Sequence, residues 1–283
     1  MKDPWQDLID QVPAAAHVRA RLDRVRSQHA EFGRVWASYL ETRPHRLRTV
    51  LDVGRGQLLV DSAEPAPVEL SIILGEILYE LRAALDNALY IACVVISGDD
   101  PPPNANLIEW PICNSPAEWK SKTRRISKAI DPRLLASLEK IQPYQAECPD
   151  WNCLRILNEL ARLDRHRAIH LVALFNDEGR LMWDHRVISD VQPQMGVVRP
   201  GSPLVTFSYT GSDPLGPEHI DGEFLFAVDL DAVSLSVGPG MTEPGRPWGH
   251  LAGRLDALHR VVWEYVFGLL HEAMDIRDGN DAT

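Results

Sequence analysis

Apolar residues recur every three to four positions between 13 and 40. There Val18, Leu22, Val25, Phe32, Val35 and Leu40 predict a long amphipathic helix. From Val68 to Ser97 the pattern changes. Set about 100 degrees apart per residue, apolar side chains surround the axis nearly everywhere, which suits a helix in the middle of a core. Its polar exceptions fall on two lines, Glu76 with Glu80 and Arg82 with Asp86, and Asn87 lies close to the glutamate line. Residues four apart share a helix face, and charges there are costly to bury unless paired. Partners from elsewhere in the fold are therefore expected.

Between these helices, Arg46 to Val53 and Gln57 to Asp61 flank a Gly54-Arg55-Gly56 turn and read as a hairpin. Pro67 suits a helix start, because its missing donor is not needed in the first turn. The prolines at 101 to 103 mark a loop, after which Leu107 to Ile112 is strand-like. Ser115-Pro116-Ala117-Glu118 is a capping box with proline at the first helical position. A second short helix is expected from Asp131-Pro132 through Ile141, and Asp150 is a suitable N-cap for a helix over 151 to 169. After His170 the period becomes two, through HLVALF, LMWDHRVI, PLVTFSYT and EFLFAVDL, which predicts an antiparallel meander. A last amphipathic helix spans His250 to Ile276, carrying Leu251, Leu255, Leu258, Val262, Tyr265, Leu269 and Met274. The expected architecture is one α+β domain over 1–283. Its four-helix-bundle-like core would use 13–40, 68–97, 116–169 and 250–276, beside a β hairpin at 45–61 and a β meander at 170–237.

Charge narrows the partners. A net charge of -11 argues against a surface that coats nucleic acid or anionic membrane as a whole, so any anion must be met locally. Arg19, Arg21, Arg24 and Arg26 read as a solvated helix face. Cys93, Cys113, Cys148 and Cys153 are scattered without a C-x-x-C pair, which suits reduced thiols. The opening MKDPWQDLID lacks a cationic-then-apolar layout, and the longest apolar run, Ala88 to Ile96, is too short to cross a bilayer. A cytoplasmic protein without membrane contact is expected. No Gly-rich phosphate loop, Ser-His-Asp order or nucleophilic Cys context is present, and no cofactor is expected.

The stretch WNCLRILNELARLDRHRAIH, Trp151 to His170, holds the densest chemistry. Leu154, Ile156, Leu157, Leu160, Ala161, Leu163 and Ala168 form an apolar face, with Arg155, Glu159, Arg162, Arg165, His166 and His170 opposite. Asp164 breaks the pattern near the middle of the apolar face, where a lone carboxylate is expensive. It is expected to face the polar exceptions of the second helix, with Arg82 as partner. The resulting polar seam would comprise Glu76, Glu80, Arg82, Asp86, Asn87 and Asp164, holding helix register or a reaction.

Arg165, polar His166 and His170 follow the spacing Arg-x4-His. That spacing resembles the motif of the HEPN superfamily, helical-bundle domains that include many metal-independent ribonucleases. The resemblance implies RNA cleavage at Arg165, His166 and His170 in a site shared across a homodimer. Histidine can exchange a proton near neutrality and arginine can clamp phosphate. Arg24 to His29, Arg180 to His185 and Arg254 to His259 share the spacing, and Arg82 to Asn87 matches it with asparagine in place of histidine. Over Leu74 to His170 the chain is also similar to a group of uncharacterised bacterial proteins. They combine LR-x-ALD, QPY and D-[KR]-HR segments, here Leu81 to Asp86, Gln142 to Tyr144 and Asp164 to Arg167.

Two other readings stay open. One is non-enzymatic RNA or protein binding, with Lys120, Lys122, Arg124, Arg125 and Lys128 joined by Arg155, Arg162, Arg165 and Arg167 on a phosphate-binding surface. The other is a metal held between His166 with His170 and Glu76 with Glu80, although the Glu-x-x-His pattern of di-iron bundles is absent.

Overall fold

A computed structural model describes residues 3–166, 171–194, 196–211, 219–230 and 251–279. The first helix, α1 (Pro4–Gln11), precedes the periodic region and was not expected. Its signal was an Asp-Pro start: Asp3 accepts the Trp5 N–H, and Pro4 opens the first turn. Trp5 anchors it, buried edge-on against Trp263 and Phe267.

Four long helices make the core: α2 (Ala15–Glu41), α3 (Val68–Ser97), α6 (Cys153–His166) and α7 (Leu251–Arg277). They form a ring in which α2 packs on α3, α3 on α6, α6 on α7 and α7 on α2, with α3 also packed on α7. Leu74, Ile77, Leu78, Leu81, Leu85 and Leu89 of α3 are wholly buried, as its nearly continuous apolar surface requires. Gly98 ends α3 at φ 76, returning its N–H to Val94 O. Among the described residues, no helix is long and apolar enough to cross a membrane.

Two shorter helices cover the core, α4 (Pro116–Ile126) and α5 (Pro132–Lys140). The expected N-cap holds, Ser115 Oγ accepting the Glu118 N–H, while Glu118 Oε2 reaches one residue past the box, to the Asn114 N–H. Helix α6 departs from expectation at its start. Asn152, not Asp150, caps it, its Oδ1 accepting the Leu154 and Arg155 N–H groups. Asp150 sits in a short 3-10 turn and pairs with Arg155 instead.

The strand-like Leu107 to Ile112 joins no sheet. Trp110, Ile112 and Cys113 are buried, so the apolar pattern was real, but side chains satisfy the backbone there. Asp86 Oδ1 accepts the Trp110 N–H at 2.8 Å. Buried Gln142 accepts the Cys113 N–H at 2.9 Å and donates to Pro111 O and Leu138 O.

The strands are β1 (His45–Asp52), β2 (Arg55–Ala63), β3 (Leu171–Trp183), β4 (Ile188–Pro193), β5 (Gly196–Val197), β6 (Pro203–Tyr209) and β7 (Ile220–Leu230). They form no single meander. One antiparallel sheet runs β1-β2-β6-β4 and the other β5-β3-β7. The expected hairpin β1-β2 thus supplies an edge that β6 takes up. At Gly56 the Phe207 ring lies where a Cβ would sit, 2.1 Å from its nearest atom, so this approach needs glycine. The apolar positions of β6, Leu204, Val205 and Phe207, join Val60 in a second core. Strand β7 ties the two cores together, placing Val228 in the helical core and Phe226 in the sheet core. Trp36 of α2 touches both cores and donates its indole N–H to Phe226 O.

Candidate functional site

The expected polar seam resolves into separate pieces with different partners. On its glutamate line, Gln28 Nε2 donates to Glu76 Oε2 at 2.8 Å, and Arg24 stands 3.7 Å from the same oxygen. Arg21 pairs with Glu80 at 2.6 Å, both side chains largely covered. These partners come from α2, so the reading of its arginines as a solvated face fails for Arg21, whereas Arg24 and Arg26 are exposed as expected. Arg19 meets Asp3 and Asp23, and Arg21 and Arg24 reach across to α3. Asn87 lines a recess of about 320 Å³ with Arg21, Arg24, Glu80 and His17.

The second line has a different task. Arg82 lies 3.7 Å from Asp86, whose carboxylate also holds Trp110 N–H. Arg82 and Asn87 stand roughly 140 degrees apart about the helix axis, so this motif-like pair shares no face.

Asp164 does not meet Arg82, contrary to expectation. It lies on Gly75: a Cβ there would stand 2.7 Å from Asp164 Oδ2 and 2.9 Å from Oδ1. Arg82 is seven residues further along α3, roughly 10 Å by helical rise, which puts it out of reach. The α6 carboxylate therefore enters where α3 lacks a side chain. Burial raises its pKa. Among the described residues it has no hydrogen bond or ion pair. It borders a groove of about 650 Å³ between α2, α3 and α6, lined also by Arg24, Gln28, Ile72, Glu76, Tyr79 and Glu80.

Of the motif residues, Arg165 is exposed and its Nε donates to Ala161 O, one turn back on its own helix. It is not among the residues lining the Asp164 groove. His166 closes α6, while its side chain, Arg167 and His170 lie outside the described residues. Two other copies of the spacing have structural settings. Arg254 is buried, which pushes its pKa down to about 10, and His259 Nε2 lies 3.2 Å from Leu22 O. His29 pairs with Asp256, and Arg180 sits on strand β3 rather than on a helix.

The basic residues of α4 divide. Lys122 pairs with Glu109 at 3.1 Å. Lys120, Arg124, Arg125 and Lys128 are exposed and meet no carboxylate among the described residues. Lys120 and Arg124 are four residues apart on α4, hence on one face, and Lys128 lies in the turn just past the helix end. Lys120 and Arg124 line a groove of about 470 Å³ between α4 and α5, with Trp119, Leu135 and Glu139. Arg155 is committed to Asp150, whereas Arg162 is exposed on α6.

The LR-x-ALD, QPY and D-[KR]-HR segments separate in the same way. Asp86 of the LR-x-ALD segment and Gln142 of the QPY segment grip one stretch, 110–113, through its backbone. Asp164 lies against Gly75 instead. The sequence reading passed over Gln28, Gly75 and Tyr79. Gly75 carried a weak signal, since a glycine inside an apolar helix costs stability and leaves room for a close approach, although a Cβ at Gly33 of α2 or Gly268 of α7 would meet nothing within 4 Å.

No family model matches the chain, and neither a curated protein nor a solved structure matches it. Among the described residues, no group of three or more His, Cys, Asp and Glu side chains is placed to hold a metal.

Proposed function

We propose that the chain is a non-enzymatic RNA-binding module that takes the phosphate backbone along α4. The observation that carries this reading is the row Lys120, Arg124 and Arg125 on α4, continued by Lys128 just past the helix end, all exposed and free of ion pairs among the described residues. By contrast Lys122 on the same helix, and Arg19, Arg21, Arg155 and Arg186 elsewhere, each meet a carboxylate. An unpaired row can exchange its counterions for phosphates, while the acidic remainder of the surface confines contact to that row. Arg162 and Arg165 on α6 are further exposed cations that longer RNA can reach.

The test is fluorescence anisotropy with a labelled single-stranded RNA across a salt series. Four phosphate contacts give a slope of log K against log salt near about -3, and Lys120→Glu with Arg124→Glu should remove most of the binding. Binding unchanged in that variant would sink the proposal.

A HEPN-type ribonuclease acting as a homodimer through Arg165, His166 and His170 is the second reading. It draws on Arg165 being exposed and without a carboxylate partner among the described residues. The same RNA separates the two readings. Binding that survives Arg165→Ala and His170→Ala without cleavage by the parent favours the module, whereas metal-independent cleavage lost in those variants favours the nuclease.

A further inference from the structure

Two hydrogen-bond acceptors of the α2–α3–α6 groove have no donor among the described residues. One is the Asp164 carboxylate on Gly75. The other is Gln28 Oε1: this side chain is 2% exposed, its amide nitrogen is donated to Glu76, and its oxygen has no partner. Turning the amide over would place that oxygen against the Glu76 carboxylate, so the Glu76 contact fixes the amide with its nitrogen toward Glu76 and its oxygen away from it. The lining arginine, Arg24, stands by Glu76 at 3.7 Å. The outer wall of the groove is apolar and aromatic. Ile72 is 59% and Tyr79 65% exposed, seven residues apart on one face of α3.

We propose that this groove binds a guanidinium group, with Asp164 as charge partner, Gln28 Oε1 as second acceptor and Tyr79 as the face on which the cation lies. A guanidinium has five N–H donors and no acceptor, so it matches the two open acceptors, the Asp164 carboxylate and Gln28 Oε1. It pairs with carboxylates through two parallel bonds and stacks on aromatic rings. Ile72 offers apolar surface to the methylenes that carry such a group. An anion would meet Glu76, Glu80 and Asp164, and a compact ammonium lacks the planar fork that pairs with a carboxylate through two parallel bonds. At about 650 Å³ the groove admits a free guanidino amine or an arginine side chain presented by a polypeptide.

Agmatine and a capped Gly-Arg-Gly peptide represent those two sources, with cadaverine as the ammonium comparison. Binding is measured by calorimetry at low salt on the full chain. Saturable binding of a guanidinium probe is expected, weakened at least about tenfold by the isosteric Asp164→Asn, because a hydrogen bond to a charged group is lost. Gly75→Ala should weaken it too, since the new Cβ displaces the carboxylate, whereas Glu41→Gln on the far end of α2 should leave it unchanged. The tighter of agmatine and peptide identifies the source. The proposal is overturned if neither probe saturates, if cadaverine binds equally well, or if circular dichroism shows Asp164→Asn folded and it binds like the parent.

Discussion

Asp164 holds a carboxylate against a helix backbone, in a place open only because residue 75 is glycine. Burial raises its pKa, so the native state keeps this proton to higher pH than the unfolded chain does. Native stability therefore rises as pH falls through the folded value and is lowest above it. Asp164→Asn removes that burden. At pH 7 the variant should melt higher, by about 2 °C, with the difference shrinking toward pH 4 in thermal melts. A variant that melts lower at pH 7 would show that the carboxylate has a stabilising partner. Gln142 is the opposite case, a buried amide with three of its hydrogen bonds made to backbone. Gln142→Leu leaves those groups unanswered and should cost about 3 kcal/mol in urea unfolding. Both residues follow from one rule, that a buried polar group is as stable as its set of partners.

Between elements, the α2–α3 contact is apolar below and ionic above. The Arg21–Glu80 pair is short, at 2.6 Å, and largely covered, whereas Arg24–Glu76 stands at 3.7 Å with both side chains half exposed. Double-mutant cycles on urea midpoints should give a coupling of about 0.5–1 kcal/mol for the first and near zero for the second. Equal couplings would mean that Gln28, which also holds Glu76, does not divert that carboxylate from Arg24. Periodicity alone located α2, α3 and α7 to within a few residues, because an amphipathic pattern is written by neighbours in the chain. It misjudged Leu107 to Ile112, where burial was correct but the backbone partners were side chains 24 and 31 residues away.

At the scale of the molecule, two cores are joined by β7 and Trp36, and half-buried histidines sit where elements meet. His45 packs edge-on against Phe226, and His259 lies between α7 and α2. Burial lowers both pKa values, aided for His259 by Arg26. The unfolded chain then binds more protons than the native one below the ordinary histidine range, so stability is full above about pH 6.5 and falls as pH drops through it. Melting temperature should decrease between pH 7.5 and 5.5, and His259→Gln should flatten that dependence. A flat profile for the parent would mean that both rings are protonated without cost.

What the amino-acid order determined by itself is the α+β class, the four long helices, the β1-β2 hairpin and the presence of charges on α3 in need of partners. These depend on periodicity, caps and turns, which are local. Tertiary structure decided which strands pair, since β6 shows the same alternation whether it lies beside β2 or in a meander. It also decided the partners of the charges. Arg21, Arg24 and Gln28 come to α3 because α2 packs there, and Asp164 comes to Gly75 because only glycine leaves room for it.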